Sequence, residues 1–180
     1  MAKTATSDTG GFLPEDYVQP KSNSDYMKFE LGENKFRILS KPIIGWSDWS
    51  KDKKPLRFPV KKKPSSPVDP SSPIKFFWAM IVWNYNENKI QILEITQIGI
   101  QSSIEALAKD PDWGTPNLYD IKVTKKGKSK QTEYSVTPSP KKDISADILK
   151  AFKDKPIYLN ALYEENDPFT PTKEITPLIK

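Results

Sequence analysis

A mainly β fold with a minor helical part is what this sequence predicts, and three observations predict it. The densest apolar stretch, "KFFWAMIVW" at residues 75–83, is rich in aromatic and β-branched residues and ends at a polar turn, as a strand does. Two further stretches alternate apolar and polar residues on either side of short turn signals. Only one stretch in the middle of the chain, Ile100, Ile104, Leu107 and Ala108, repeats at the spacing of a helix face.

Residues 1–27 lack periodicity and read as a flexible arm. In "YMKFELGENKFRIL", Phe36 and Ile38 alternate with Arg37 and Leu39, giving a first strand with a bend at Gly32 or Asn34. "KPIIGW" continues it, and Gly45 predicts a bulge where the strand curls. A long loop follows, with Pro64, Pro67, Pro70 and Pro73 spaced by three as in a stiff polyproline-like return. Phe76 to Trp83 is apolar on both faces, so this second strand needs cover on both sides, from core or from a ligand. "NYNEN" turns it into a third strand, Lys89 to Thr96.

Thr96 can then cap the helix, which Asp110-Pro111 ends. "YDIKVTKKGKSKQTEYSVTP" forms a second hairpin: Tyr119, Ile121 and Val123 run out, and Tyr134 and Val136 run back. A last helix is expected from Asp143, with Ile144, Ile148, Leu149 and Phe152 on one side, before a proline-broken tail. Strand, long loop, hairpin, helix, hairpin is the order of the OB-fold, a five-stranded Greek-key barrel with one helix between strands 3 and 4. The expected organisation is an arm at 1–27, a barrel at 28–140, and a C-terminal helix and tail at 141–180. In that architecture a ligand crosses strands 2 and 3, flanked by the loops 46–73 and 124–131.

Charge singles out the same two regions. The chain carries a net +5, yet residues 51–63 and 121–142 each hold seven basic residues and one acidic. The remainder is net acidic, so the positive charge forms a footprint for a polyanion. With no histidine and no cysteine, an ordinary zinc site and histidine-based acid–base or nucleophilic chemistry are excluded. No cofactor is expected. Seven glycines form no phosphate-cradling loop. A metal-dependent nuclease would need a carboxylate cluster, and Asp110, Asp112, Asp120 and Glu94 follow no metal spacing.

Lysines among exposed aromatics suit single-stranded nucleic acid, because cations neutralise phosphates while unpaired bases stack on flat side chains. Duplex readers usually insert a helix or ribbon, and the central helix holds a single basic residue, Lys109. The expected phosphate contacts are Lys51, Lys53, Lys54, Arg57, Lys61, Lys62 and Lys63 in the first segment, and Lys122, Lys125, Lys126, Lys128 and Lys130 in the second. Trp46, Trp49 and Phe58, with polar or basic neighbours, are expected to stack bases. Trp83 and Tyr85 share a strand face that can lie either way, and Tyr134 reads equally as platform or core. Phe36, Phe77 and Trp78 sit within strand patterns and read as core, and Trp113 as a loop anchor packed on the barrel.

"FWAMIVWNYNENKIQILEITQ", followed by "DWGTPNLYDIKVTKKGKSKQTEYSVTPSP", resembles the small OB-fold single-stranded DNA-binding proteins of tailed bacteriophages over about residues 28–140. The resemblance implies a non-enzymatic replication or recombination protein that coats single-stranded DNA in the cytoplasm of the infected bacterium. Trp78, Trp83 and Tyr85 match the family's aromatic strand, and Lys122, Lys125 and Lys126 its basic hairpin. The zinc subdomain of larger phage proteins of this class has no counterpart here. "EENDPF" at Glu164–Phe169 is similar to an acidic tip that recruits replication or recombination partners, although eleven residues follow it. An RNA-binding OB module, a nuclease, or an adaptor using the proline repeat are the rival readings. No secretory signal and no membrane span are expected, and the sequence is compatible with a homo-oligomer.

Overall fold

A computed structural model of the chain describes residues 24–172 and 174–180; residues 1–23, most of the expected arm, lie outside the described residues. In chain order the elements are β1 (Tyr26–Met27), β2 (Gly32–Ile38), β3 (Ile43–Trp49), β4 (Pro55–Pro59), β5 (Lys75–Asn84), β6 (Lys89–Ile95), α1 (Ile98–Lys109), β7 (Asp120–Lys126), β8 (Glu133–Pro138) and α2 (Ala146–Asp154). A further 3₁₀ turn, Leu159–Glu164, follows α2. The fold is mainly β, a mixed eight-stranded sheet with two helices. Among the described residues no helix is long and apolar enough to cross a membrane.

The sheet runs β1-β6-β5-β2-β7-β8, with β3 paired to β5 and to β4. It is not a closed barrel, which corrects the five-stranded expectation. Closure would pair β8 with β6, but among the described residues β8 pairs only with β7, and the middle of β6's outer edge is taken by β1, in parallel register through Tyr26↔Ile92 and Met27↔Leu93. An edge whose N–H and C=O groups are already paired has little left to offer another strand. The extra strands come from three places: the arm supplies β1, the first expected strand breaks into β2 and β3, and the long loop contains β4.

The break has a local cause. Ile38 faces Val82 and Ile43 faces Ala79, so five steps along the first path match three along β5. The two extra residues lie around Ser40-Lys41-Pro42, and the Ser40 hydroxyl accepts the Ile81 N–H (2.9 Å) in place of a ladder carbonyl. The irregularity is therefore here and not at Gly45, where the register to β4 and β5 continues unbroken. Gly45 answers a different need: a Cβ there would stand 2.0 Å from the Phe58 carbonyl oxygen.

β5 is covered on both faces, by protein on each. Its Met80 and Val82 join Phe36, Ile38, Leu93, Ile95, Ile121 and Val123 in one core, which Ile100 and Ile104 of α1 close. Gln97, not Thr96, stands at the N-terminal cap position of α1, without a capping hydrogen bond from its side chain. On the opposite face Phe77, Ala79 and Ile81 join Leu39, Ile90 and Ile92 in a second core. Its cover is the C-terminal region, through Ile148 of α2, Ile157, Leu159 and Leu162, with Phe169 and Leu178 alongside. Ser145 caps α2 by accepting the Ile148 N–H (3.4 Å). The stretch expected as a tail is docked down to its last residues, since the Ile179 N–H donates to Leu39 (2.8 Å).

Candidate nucleic-acid interface

The β3–β4 hairpin builds an aromatic surface with cations beside it. Directly paired residues share a sheet face, and the register sets Trp46 beside Phe58 on one side and Phe76 on the other. The Trp46 and Phe76 rings meet edge to face at 5.0 Å. The Trp46 indole N–H donates to the Val60 carbonyl (3.1 Å), which fixes the ring against the start of the basic run. Lys63 Nζ then lies 4.1 Å from the Trp46 ring centre, a cation–π contact. Lys61, Lys62 and Lys63 are all exposed.

Buried Asp48 anchors the proline-spaced return to this surface: its carboxylate accepts the Trp49 N–H (2.8 Å) and the Val68 N–H (2.9 Å). Trp49 is 47 % exposed, three residues further along β3 than Trp46 and so on the opposite face from it. Lys51, Lys53 and Lys54 stand exposed in the turn, where Lys53 takes a left-handed φ of 61°. Arg57, expected to meet phosphate, is committed instead to Glu94 of β6 through contacts of 2.6 and 2.7 Å.

The second basic segment is the β7–β8 hairpin. Lys122 and Lys126 project from one face of β7, while Lys125 points the other way and donates to the Phe29 carbonyl (3.2 Å). Lys128 and Lys130 are exposed in its turn. Tyr134 is half-buried, packed on the first core and against Phe29 at 6.0 Å. This turn flanks Gly32 at the start of β2, whereas the β3–β4 turn follows Trp49 at the far end of the same path. Among the described residues no ladder or ion pair joins the two basic segments.

Trp83 and Tyr85 lie on the face of β5 that the C-terminal region covers, and both pack against the second core. Tyr85 leads to a cluster that the sequence did not bring together. Its hydroxyl donates to the Asp120 carboxylate (2.9 Å), which also faces Arg37 (3.3 Å), Lys142 (2.7 Å) and Lys35 (3.4 Å). Asp120 is fully buried. Burial pushes its carboxyl up, but the Lys142 amine, the Tyr85 hydroxyl and Arg37 outweigh that and hold it below the ordinary carboxylate range. Burial and the same hydrogen bond push the Tyr85 phenol up to about 12. The available signal was Arg37, a charged residue in the middle of a strand pattern.

The acidic residues weighed for a nuclease are dispersed. Glu94 is held by Arg57, Asp120 by its cations, and Asp110 turns the end of α1 by accepting the Asp112 N–H (2.9 Å). Among the described residues no group of three or more acidic side chains is placed to hold a metal ion. In the "EENDPF" stretch Glu164, Glu165, Asn166 and Asp167 are exposed, while Pro168 is buried and the Phe169 ring lies edge-on to Tyr26 at 5.7 Å. In comparisons with protein-family models, curated proteins and solved structures, nothing matches this chain.

Proposed function

We propose that this protein binds single-stranded DNA without sequence preference and without catalysing a reaction on it. The observation that carries the reading is the Trp46 surface, where an aromatic pair stands beside Lys63 and its exposed neighbours Lys61 and Lys62. Flat rings next to mobile ammonium groups provide stacking and phosphate neutralisation together, the two needs of single-strand binding. The strand order supports an OB-like ancestry: β2 and β3 act as one bent first strand, followed by β5, β6, α1, β7 and β8. It agrees with the resemblance to the single-stranded DNA-binding proteins of tailed phages and with a role in phage replication or recombination.

In this reading bases stack on the β3–β4–β5 surface, because the outer face of β5 and β6 is already covered by the C-terminal region. The test is a titration with oligo-dT followed by tryptophan fluorescence, with duplex DNA and oligo-U as competitors and magnesium added in a parallel arm. Strong quenching, weak competition by duplex and no cleavage are expected. Equal affinity for duplex overturns the reading, preference for oligo-U makes it an RNA-binding module, and magnesium-dependent cleavage makes it a nuclease.

A further inference from the structure

The outer face of the β2–β7–β8 half of the sheet is polar, and around Asp120 its charge does not balance. The register sets Arg37 opposite Asp120 and Lys35 opposite Lys122, with Thr124, Ser135 and Thr137 continuing the face outward. The Tyr85 N–H donates to the Lys35 carbonyl (3.0 Å), which places Tyr85 beside Lys35 at the inner border. Around the single buried carboxylate of Asp120 stand three cations, Arg37, Lys35 and Lys142. Lys35 Nζ lies 4.7 Å and Lys142 Nζ 5.5 Å from the centre of the Tyr85 ring.

These three cations differ in what they have left to offer. Arg37 is 2 % exposed and its guanidinium is used up on Asp120 and on the carbonyls of Asn117 (2.8 Å) and Lys142 (2.6 Å). The side chains of Lys35 and Lys142 keep 31 % and 50 % of their exposure, and Lys122 next to them has only a long contact to Glu33 (3.8 Å). Like charges directly opposite on neighbouring strands repel, so Lys35 and Lys122 gain from an anion laid across them. An anion there meets fixed ammonium groups, because Asp120 and the Tyr85 ring hold them in place.

We propose that this face is a phosphate-binding site, in which Lys35 and Lys142, held over Tyr85 by Asp120, receive backbone phosphates of the bound single strand, with Lys122 beyond them. The site rests on the single-strand reading above and deepens it. Tyr85 then acts as a positioning residue for the two ammonium groups and not as a base platform, and Asp120 likewise positions.

The test compares the wild-type chain with K35A/K142A, with K35R/K142R, and with K150A/K153A on the exposed face of α2, by oligo-dT titration at several salt concentrations. Single strands release about 0.7 counterion per neutralised phosphate. The alanine pair is therefore expected to flatten the slope of log affinity against log salt by about 1.4. The arginine pair restores the slope, and the α2 pair leaves it unchanged. A wild-type slope in K35A/K142A overturns the site while leaving the function standing. If the wild-type chain does not bind oligo-dT at all, the function falls, and titration with inorganic pyrophosphate followed by amide NMR decides the site. Shifts centred on Lys35, Tyr85 and Lys142 that vanish in K35A/K142A support it, and their absence overturns it.

Discussion

Asp120 has no contact with water and four polar side chains around it, so its ionisation is tied to the fold. Removing one member of a buried ion pair leaves its partner unpaired, at a cost of about 3–5 kcal/mol. Asp120→Asn leaves Arg37 in that position, and urea unfolding at neutral pH should show a loss of that size. The pH dependence has a definite sign. A carboxyl held below its ordinary value stabilises the fold above about pH 4 and loses that contribution as pH falls through its folded value. The Tyr85 phenol, raised to about 12, stabilises below about pH 10 and loses its contribution between about 10 and 12. Stability measured against pH should therefore fall at both ends, with Asp120→Asn blunting the acid limb and Tyr85→Phe the alkaline one. Trp46 is the residue on which the functional reading depends most. A stacked base contributes about 1–3 kcal/mol by alanine substitution. Trp46→Ala should weaken oligo-dT binding by that amount in a fluorescence titration, while Trp113→Phe, packed against Tyr119, should not.

Among elements, the hairpin β3–β4 and the C-terminal segment account for most of what was hidden in the sequence. The strands β5, β6, β7 and β8 and the helix α1 were legible because each carries its own periodicity and ends at its own turn residues. β4 was not: "PLRFP" is bounded by prolines inside a basic run, and it is a strand only because β3 lies beside it. The double-sided apolar pattern of β5 announced a second cover without saying what supplied it. The cover comes from Ile148, Ile157, Leu159 and Leu162, scattered over a proline-broken stretch whose partners lie far away in sequence. For the same reason Lys35, Arg37 and Lys142 could not be read as one cluster. Gly45 gives a test of the hairpin. Its substitution by alanine drives a methyl group into the Phe58 carbonyl, and β4 must move. Gly45→Ala should lower the thermal midpoint and weaken oligo-dT binding together. The C-terminal segment gives another. Residues 174–180 carry Leu178, the Thr176 hydroxyl that accepts the Leu159 N–H (2.9 Å), and the Ile179 N–H bond to Leu39. Their deletion should cost about 2 kcal/mol from one partly buried leucine and the segment's hydrogen bonds, read by urea unfolding.

Across the whole molecule, the distribution of charge decides more than its total. A net charge of +5 on 180 residues is modest, but half of the 28 basic residues lie in two segments at opposite ends of the β2–β3 path. Of those fourteen, Arg57 is bound to Glu94 and Lys125 to the Phe29 carbonyl, which leaves twelve that can meet an anion, Lys142 among them while it is held by Asp120. If about half of the twelve touch phosphate, a single strand should show a slope of log affinity against log salt near −4. A slope near zero would mean that the lysines only keep the chain in solution. Duplex DNA should not reach the same slope. α1 carries one basic residue, Lys109, and that is paired with Glu105 on its own helix, so it has no charge with which to enter a groove. The aromatic surface at Trp46 needs unpaired bases, which a duplex does not present. Measured side by side at the same salt concentrations, single strand and duplex should therefore differ both in affinity and in slope, the duplex showing the shallower line.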